Sequence, residues 1–167
     1  MSIVIAKATP EDAAGLLAYL KQVGGETNNL TFGAEGMPFS TEDEAAYIAG
    51  IADSADAVMF VAKENGAVIG AASLNRLPRR MSHRGDLSIS VAKAHWNKGI
   101  GSRLMREIVA FARQNAFEII DLQVRSDNLS AIHLYEKFGF KKLCTYPAFF
   151  RIDNQYIDFD FMCLRLT

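Results

Sequence analysis

A pair of glycines marks the point where a strand pattern gives way to a helix pattern. Residues 87–91 alternate apolar and polar side chains, as in a strand with one buried face. From Ile100 onward, apolar residues recur at helical spacing. Gly99 and Gly101 therefore lie at a helix N-terminus, where unpaired N–H groups and the positive end of the helix dipole favour a phosphate. The chemistry that this junction suggests is anion binding, and an ordinary tight turn is the simpler alternative.

The two most common nucleotide-binding motifs are absent from this turn. A Walker motif would place Lys and then Ser or Thr after the second glycine, whereas Ser102 and Arg103 follow Gly101. A dinucleotide-binding fingerprint would need a third glycine at position 104, where the chain has a leucine. A phosphate site here would therefore belong to another class of protein.

Length and composition limit the classes to consider. The 167 residues, half of them apolar, are enough for one domain with its own core, spanning residues 1–167. A net charge of −1 argues against a nucleic-acid partner, because nucleic-acid-binding domains are usually strongly basic. No apolar run approaches the ~20 residues that span a bilayer, so we expect no membrane association.

Cysteine and histidine usage predicts no metal site. Cys144 and Cys163 are far apart without CxxC spacing, and the three histidines are scattered. The N-terminal residues lack the pattern of a secretory signal peptide. We therefore expect a reduced, cytoplasmic protein without a metal cofactor.

The rest of the chain predicts the elements that position the glycine turn. Thr9 and Pro10 start a helix that we expect to end near Val23, and an Asn-Gly pair at 65–66 predicts a hairpin. Gly139 ends the last predicted helix. The predicted strands are 3–8, 57–64, 67–77, 87–91, 119–124, 140–146 and 156–166; the helices are 10–23, one from 40 or 41, 100–115 and 127–138; a loop spans 24–39. The order β-α-α-β-β-β-α-β-α-β-β predicts a single α/β (α+β) domain.

Two stretches resemble a known family. The turn WNKGIGS and the later stretch VRSDNLSAIHLYEKFGF resemble the GNAT superfamily of acyl-CoA-dependent N-acetyltransferases. The family's turn pattern is Gln/Arg-x-x-Gly-x-Gly/Ala, and Trp96 stands where Gln or Arg is usual. The second motif, N-x-x-A-x-x-x-Y, runs from residue 128 to 135 and ends in Gly-Phe at 139–140. The resemblance implies one GNAT-like domain, with a mixed central sheet of about six to seven strands and helices on both faces.

The resemblance also implies where acetyl-CoA binds. The pyrophosphate would lie on the turn amides, and the pantetheine arm would pair with the strand that ends at Val91. A backbone N–H near Val91 or Ala92 would polarise the thioester carbonyl. The residues that the family places against the cofactor are Val91, Ala92, Lys98, Gly99, Ile100, Gly101, Ser102, Arg103, Asn128, Ala131 and Tyr135.

Three residues are candidates for the chemistry of acetyl transfer, which needs a neutral amine, a polarised carbonyl and a proton for the leaving thiolate. The family motif makes Tyr135 the general acid, and a tyrosine that only packs on its helix is the alternative. Asp86 is the candidate base, where some family members carry a glutamate; a carboxylate tied to Arg84 or to a backbone N–H is the alternative. Glu26, in the predicted loop, is a candidate acceptor-binding residue, although loop acids are usually just solvated.

The function that the resemblance implies is transfer of an acetyl group from acetyl-CoA to a primary amine. The acceptor is expected to be a small molecule that attacks directly in a ternary complex, and family analogy implies a homodimer. Acetylation of a protein N-terminus or lysine is one alternative, and a non-catalytic acyl-CoA sensor domain is another.

Overall fold

The alternating and helical patterns fold into one seven-stranded sheet with helices on both of its faces. The computed structural model describes residues 2–166, which contain seven strands and four α-helices. The strand order in the sheet is β1-β2-β3-β4-β5-β7-β6. The elements are β1 Ile3–Lys7, α1 Ala13–Glu26, α2 Thr41–Ile51, β2 Ala57–Glu64, β3 Ala67–Arg76, β4 Arg84–Val91, α3 Ile100–Gln114, β5 Ile119–Arg125, α4 Leu129–Lys137, β6 Lys141–Ile152 and β7 Gln155–Arg165.

A gap opens in the sheet between β4 and β5. These two strands are parallel, whereas the other neighbours are antiparallel. They pair only from Arg84 with Ile119 to Asp86 with Asp121. Beyond that point the C-terminal halves of the two strands are not paired with each other. Because the two strands do not bond each other there, backbone groups at the edges of this gap can bind other groups of the chain or another molecule.

The two faces of the sheet carry separate cores. Helices α3 and α4 pack on one face, here called the α3 face, with Leu104, Ile108 and Ile120 completely buried. Helices α1 and α2 pack on the opposite face, the α1 face, around Leu16 and Ile48. The main contacts of α1 and α2 with the sheet are to β3 and β2. The α1 face over β5, β7 and β6 is thus left largely without a helix.

Most of the predicted elements are confirmed. Ser40 caps α2, and the β2–β3 hairpin turns at Asn65 and Gly66, whose φ angles are 51° and 82°. Asn128 caps α4, and Gly139 follows that helix with φ of 97°. On β4, the side chains of 87, 89 and 91 turn to the α3 core while 86, 88 and 90 face the opposite side, as their alternation predicts.

Three boundaries were predicted wrongly. Strand β4 begins at Arg84 and not at residue 87, because its first residues pair with β5, which is distant in sequence. Helix α1 continues through Gly24 and Gly25, so Glu26 is the last residue of the helix and does not lie in the loop. A Cβ at Gly24 would collide with the carbonyl oxygen of Gly33, so glycine is needed there for packing and not as a helix breaker. Strand β6 runs six residues beyond the predicted end because it passes Pro147 as an outer strand with a bulge, where a missing N–H is tolerated.

Candidate active site

The turn before α3 leaves its helix N-terminus uncapped by any side chain. Gly99 is the N-cap residue, with φ of +77°, and no side chain among residues 2–166 accepts a hydrogen bond from the first turn. By contrast, Ser40 caps α2 at 3.0 Å and Asn128 caps α4 at 3.3 Å. The first amides of α3 therefore remain available to an anion, as predicted for residues 98–102.

The two glycines of the turn have different structural purposes. Gly99 adopts a left-handed conformation that an L side chain rarely takes, and a Cβ there would meet nothing within 4 Å. A Cβ on Gly101 would lie 3.0 Å from Cδ2 of Leu134 on α4. Gly101 therefore lets α4 approach α3 closely, whereas Gly99 shapes the turn.

Backbone groups at the end of β4 point into the gap between β4 and β5. The Ala92 N–H donates to the carbonyl of Ile69 at 2.9 Å, so it is not free to polarise a thioester. Val91 is opposite Gly70, one position before this hydrogen-bonded pair, so its N–H and C=O point away from β3. The Trp96 indole N–H donates to that carbonyl of Val91 at 2.8 Å. Of the two amides predicted from the resemblance, only the Val91 N–H remains a candidate.

Helix α4 presents Asn128, Ala131 and Tyr135 at the predicted spacing, and the structure assigns different surroundings to each. The side-chain oxygen of Asn128 is used to cap the helix, and Ala131 is half-buried. Tyr135 is 7% exposed, and its hydroxyl forms no hydrogen bond with the described part of the chain. Burial raises the pKa of Tyr135 to about 12, so the phenol keeps its proton at neutral pH. The side chain is suited to donate a proton.

Asp86 is a half-buried carboxylate on the α1 face of β4. Arg84 does not pair with it, because Nε of Arg84 bonds Oδ2 of Asp121 at 2.7 Å. The nearest donor to Asp86 is the Gln123 amide, at 3.5 Å. Burial, together with the charge of Asp121, raises the pKa of Asp86 above its ordinary value. The alternative of an Arg84–Asp86 pair is therefore wrong, and Asp86 has no ion pair within residues 2–166.

Comparison with known proteins identifies the family. Residues 26–140 match the acetyltransferase (GNAT) family. The chain belongs to the GNAT acetyltransferase family. It is 34% identical over 94 residues to N-alpha-acetyltransferase RimI of Mycobacterium tuberculosis, covering 56% of this chain and 58% of RimI. It is 33% identical to L-amino acid N-acetyltransferase AaaT of Escherichia coli, covering 67% of this chain and 70% of AaaT. The matched part thus spans somewhat over half to about two thirds of these relatives.

Solved GNAT structures share the whole fold. An acetyltransferase of the GNAT family from Streptococcus pneumoniae superposes with a TM-score of 0.94 at 29% identity, covering 98% of this chain and 99% of that chain. A phosphinothricin acetyltransferase from Sinorhizobium meliloti, solved in complex with acetyl-CoA, has a TM-score of 0.82 at 22% identity, covering 99% and 89%. Among residues 2–166, no helix is long and apolar enough to cross a membrane.

In this GNAT domain, two residues of α1 contact β4 or the turn that follows it. Tyr19, only 2% exposed, forms a 2.9 Å hydrogen bond with the Ser90 hydroxyl, and burial raises its pKa. Tyr19 was not predicted, because its spacing from Leu16 is that of an ordinary core residue. The carboxylate of Glu26 accepts from the Lys93 N–H at 2.8 Å, so it joins the end of α1 to the turn after β4.

The cationic side chains next to the turn are placed differently. Lys98 is exposed at the turn, where a phosphate could reach it. The Arg103 guanidinium donates to the Ile3 carbonyl at 2.8 Å and so ties α3 to β1. Its remaining N–H groups have no partner in the described residues, so a second contact to a phosphate stays a prediction.

Proposed function

We propose that this protein is an N-acetyltransferase that moves an acetyl group from acetyl-CoA to a small primary amine within a ternary complex. The observation that carries the proposal is the gap between β4 and β5, which opens next to the uncapped N-terminus of α3. A co-substrate that enters from the α3 face could there meet an amine that lies on the α1 face. Direct transfer through the sheet follows from this arrangement.

The residues around the gap fit the groups of acetyl-CoA. The amides of residues 98–102 suit a diphosphate because they are unpaired and lie at the positive end of the α3 dipole. The outward N–H of Val91 suits a carbonyl oxygen of the pantetheine arm. Acetyl-CoA supplies an activated acyl group and a thiolate leaving group.

The amine nitrogen attacks the thioester carbon, a C–N bond forms and the C–S bond breaks. The ammonium form must first lose a proton, and Asp86 is the carboxylate placed to accept it, directly or through water. The departing thiolate must gain a proton, and the hydroxyl of the buried Tyr135 side chain is the donor. The Val91 N–H is assigned to the pantetheine arm and not to the reacting carbonyl, because Val91 lies five residues, ~16 Å, along β4 from Asp86.

The cofactor half of the proposal is tested by adding a negative charge at the turn. Ser102→Glu places a carboxylate in the first turn of α3, where the helix dipole tolerates it but a diphosphate would be repelled. Thr41→Glu makes the same change in the first turn of α2 and is the matched control. Calorimetry should show acetyl-CoA binding to the wild type and to Thr41→Glu, and loss of it in Ser102→Glu. Equal binding by all three proteins would contradict the proposed site.

An activity assay distinguishes the small-amine acetyltransferase from two alternatives, a protein acetyltransferase and a sensor domain. The similarity to RimI supports a protein N-terminus as the second candidate acceptor. A sensor domain would bind acetyl-CoA without releasing CoA thiol in the presence of any amine or peptide. The release of CoA thiol is therefore measured in the presence of small amines and, separately, of peptides with a free N-terminus. Release with amines, release with peptides or no release distinguishes the three functions.

We also propose that the protein forms a homodimer through β6. This outer strand has twelve residues, and positions 141–149 are all exposed, with Leu143 at 61%. Native proteins usually cover or interrupt an edge strand of this length. A second copy of the chain could cover the outer backbone edge of this strand while its α1 face, with Tyr146 and Phe149, stays open.

A further inference from the structure

Five aromatic side chains form a cluster on the α1 face of the β6–β7 hairpin. This aromatic cluster consists of Tyr146, Phe149, Phe150, Phe159 and Phe161. The ring centroid of Phe149 lies between 5.2 and 5.5 Å from those of the other four rings. Phe159 is 3% exposed at the base of the cluster, whereas Phe149 is 37% and Tyr146 is 52% exposed. The cluster is therefore buried at its base, while the rings of Phe149 and Tyr146 expose apolar surface to solvent.

The aromatic cluster continues from the polar surface that carries Asp86. Gln123 on β5, whose amide reaches Asp86, is directly opposite Phe161 on β7. Where β4 and β5 are still paired, two strand spacings of ~4.8 Å place β7, the strand of Phe161, about 10 Å from β4. Helices α1 and α2 pack mainly on β3 and β2, so the surface between Asp86 and the rings is largely free of helices.

The charges along this surface favour a cation at one end only. Arg84 neutralises Asp121, whereas Asp86 has no ion pair in the part of the chain described, so the β4 end is negative. At the other end, the stacked rings of Tyr146 and Phe161 offer an apolar surface with centroids 5.4 Å apart. The complementary molecule has an ammonium group at one end and an apolar body at the other.

We infer that the preferred acceptor is an arylalkylamine, a primary amine linked by a short aliphatic chain to an aromatic ring. The ammonium group lies beside Asp86 before it is deprotonated, and the ring packs on Phe161, the ring of the cluster nearest to β4, which Tyr146 and Phe149 contact and hold in place. This inference rests on the proposed N-acetyltransferase function and names the acceptor class for the same site.

The first test compares two primary amines that differ only in the ring. With acetyl-CoA saturating, kcat/KM is measured by CoA thiol release for 4-phenylbutylamine and for n-butylamine. We expect 4-phenylbutylamine to be preferred by about tenfold or more, which is a typical discrimination for an apolar pocket. Spermidine, which has several charges and no ring, should resemble n-butylamine.

The second test removes one ring of the cluster. Tyr146→Ala deletes an exposed ring, so the fold should survive, and Phe149→Leu keeps most of the buried volume. Each should lower kcat/KM for 4-phenylbutylamine by roughly fivefold to tenfold while leaving n-butylamine unchanged. Tyr156→Ala removes a 68% exposed ring from the opposite face of the same hairpin and is the matched control.

The outcomes separate this inference from the function on which it rests. The proposed acceptor class would be wrong if kcat/KM were equal for the two amines, or if Tyr146→Ala had wild-type kcat/KM for both. Neither result would contradict the acetyltransferase activity. Acetyl-CoA binding without release of CoA thiol in the presence of these amines or of a panel of amino acids would overturn the small-amine acetyltransferase itself.

Discussion

At the scale of single residues, the Tyr135 hydroxyl is the group whose surroundings best match its proposed chemistry. It belongs to a buried side chain and has no hydrogen-bond partner in the described residues, and burial raises the pKa of Tyr135 to about 12, so it is fully protonated at neutral pH. Tyr135→Phe should lower kcat by ~10²–10⁴, as expected for a lost proton donor. Acetyl-CoA affinity, measured by calorimetry, should not change. Tyr156→Phe makes the same substitution at an exposed site and should keep full activity; a fully active Tyr135→Phe would reduce Tyr135 to a packing residue.

Replacing Asp86 by asparagine should have opposite effects on activity and on stability. Its pKa is raised in the folded protein, so the folded state binds the proton more tightly than the unfolded state does. The contribution of Asp86 to the free energy of unfolding is therefore largest at pH values below its pKa in the unfolded chain. It decreases as the pH rises through the pKa of Asp86 in the folded protein. Asp86→Asn should remove that penalty and raise Tm at pH 7, with the difference from wild type vanishing in acid.

The same Asp86→Asn variant should lose most of its activity, because an amide cannot accept the proton of the ammonium group. The wild-type pH profile of kcat/KM should fall in acid as Asp86 becomes protonated, and the variant should lack that limb. A variant with wild-type kcat/KM would show that the amine loses its proton elsewhere.

Trp96 offers a direct spectroscopic test of the cofactor turn. It is the only tryptophan in the chain, and its indole N–H holds the Val91 carbonyl at the end of β4. Acetyl-CoA should change its fluorescence emission, because the ring lies two residues from the amide of Lys98 and is 43% exposed. Trp96→Phe keeps a ring but loses the hydrogen bond, and should weaken acetyl-CoA binding by roughly threefold to tenfold in calorimetry. Unchanged emission at saturation would place acetyl-CoA away from this turn.

At the scale of elements, patterns with a local cause were predictable. The caps of α2 and α4, the Asn65-Gly66 hairpin and the alternation of β4 depend on neighbours in sequence, and the structure confirms them. The end of α1 depends on Gly33, nine residues beyond Gly24 and adjacent only in the fold. The Tyr19–Ser90 and Arg84–Asp121 contacts join residues far apart in sequence, so no local pattern could indicate them.

The two glycines at the end of α1 provide a matched pair for the element scale. Gly24→Ala would put a methyl group against the backbone of Gly33, and overpacking of this kind destabilises by ~1–3 kcal/mol. At Gly25 the nearest atom is the Ala34 methyl carbon 3.3 Å away, a contact that a shift of a few tenths of an ångström relieves, so Gly25→Ala should cost less stability than Gly24→Ala. Urea unfolding of both variants measures the difference. Equal stabilities would mean that the loop after α1 moves without strain.

At the scale of the whole molecule, the two edges of the sheet differ in a way that predicts assembly. Strand β1 is an edge of five residues, whereas β6 is an edge of twelve residues on which the Leu143 side chain is 61% exposed. Light scattering should give twice the chain mass for the wild type. In a twofold dimer, Leu143→Lys would bring two like charges together and should produce a monomer. Val4→Lys alters a 52% exposed residue on the opposite edge and should remain dimeric. A wild type that is monomeric at all concentrations would leave β6 without a partner, and a monomer produced by Val4→Lys alone would move the interface to β1.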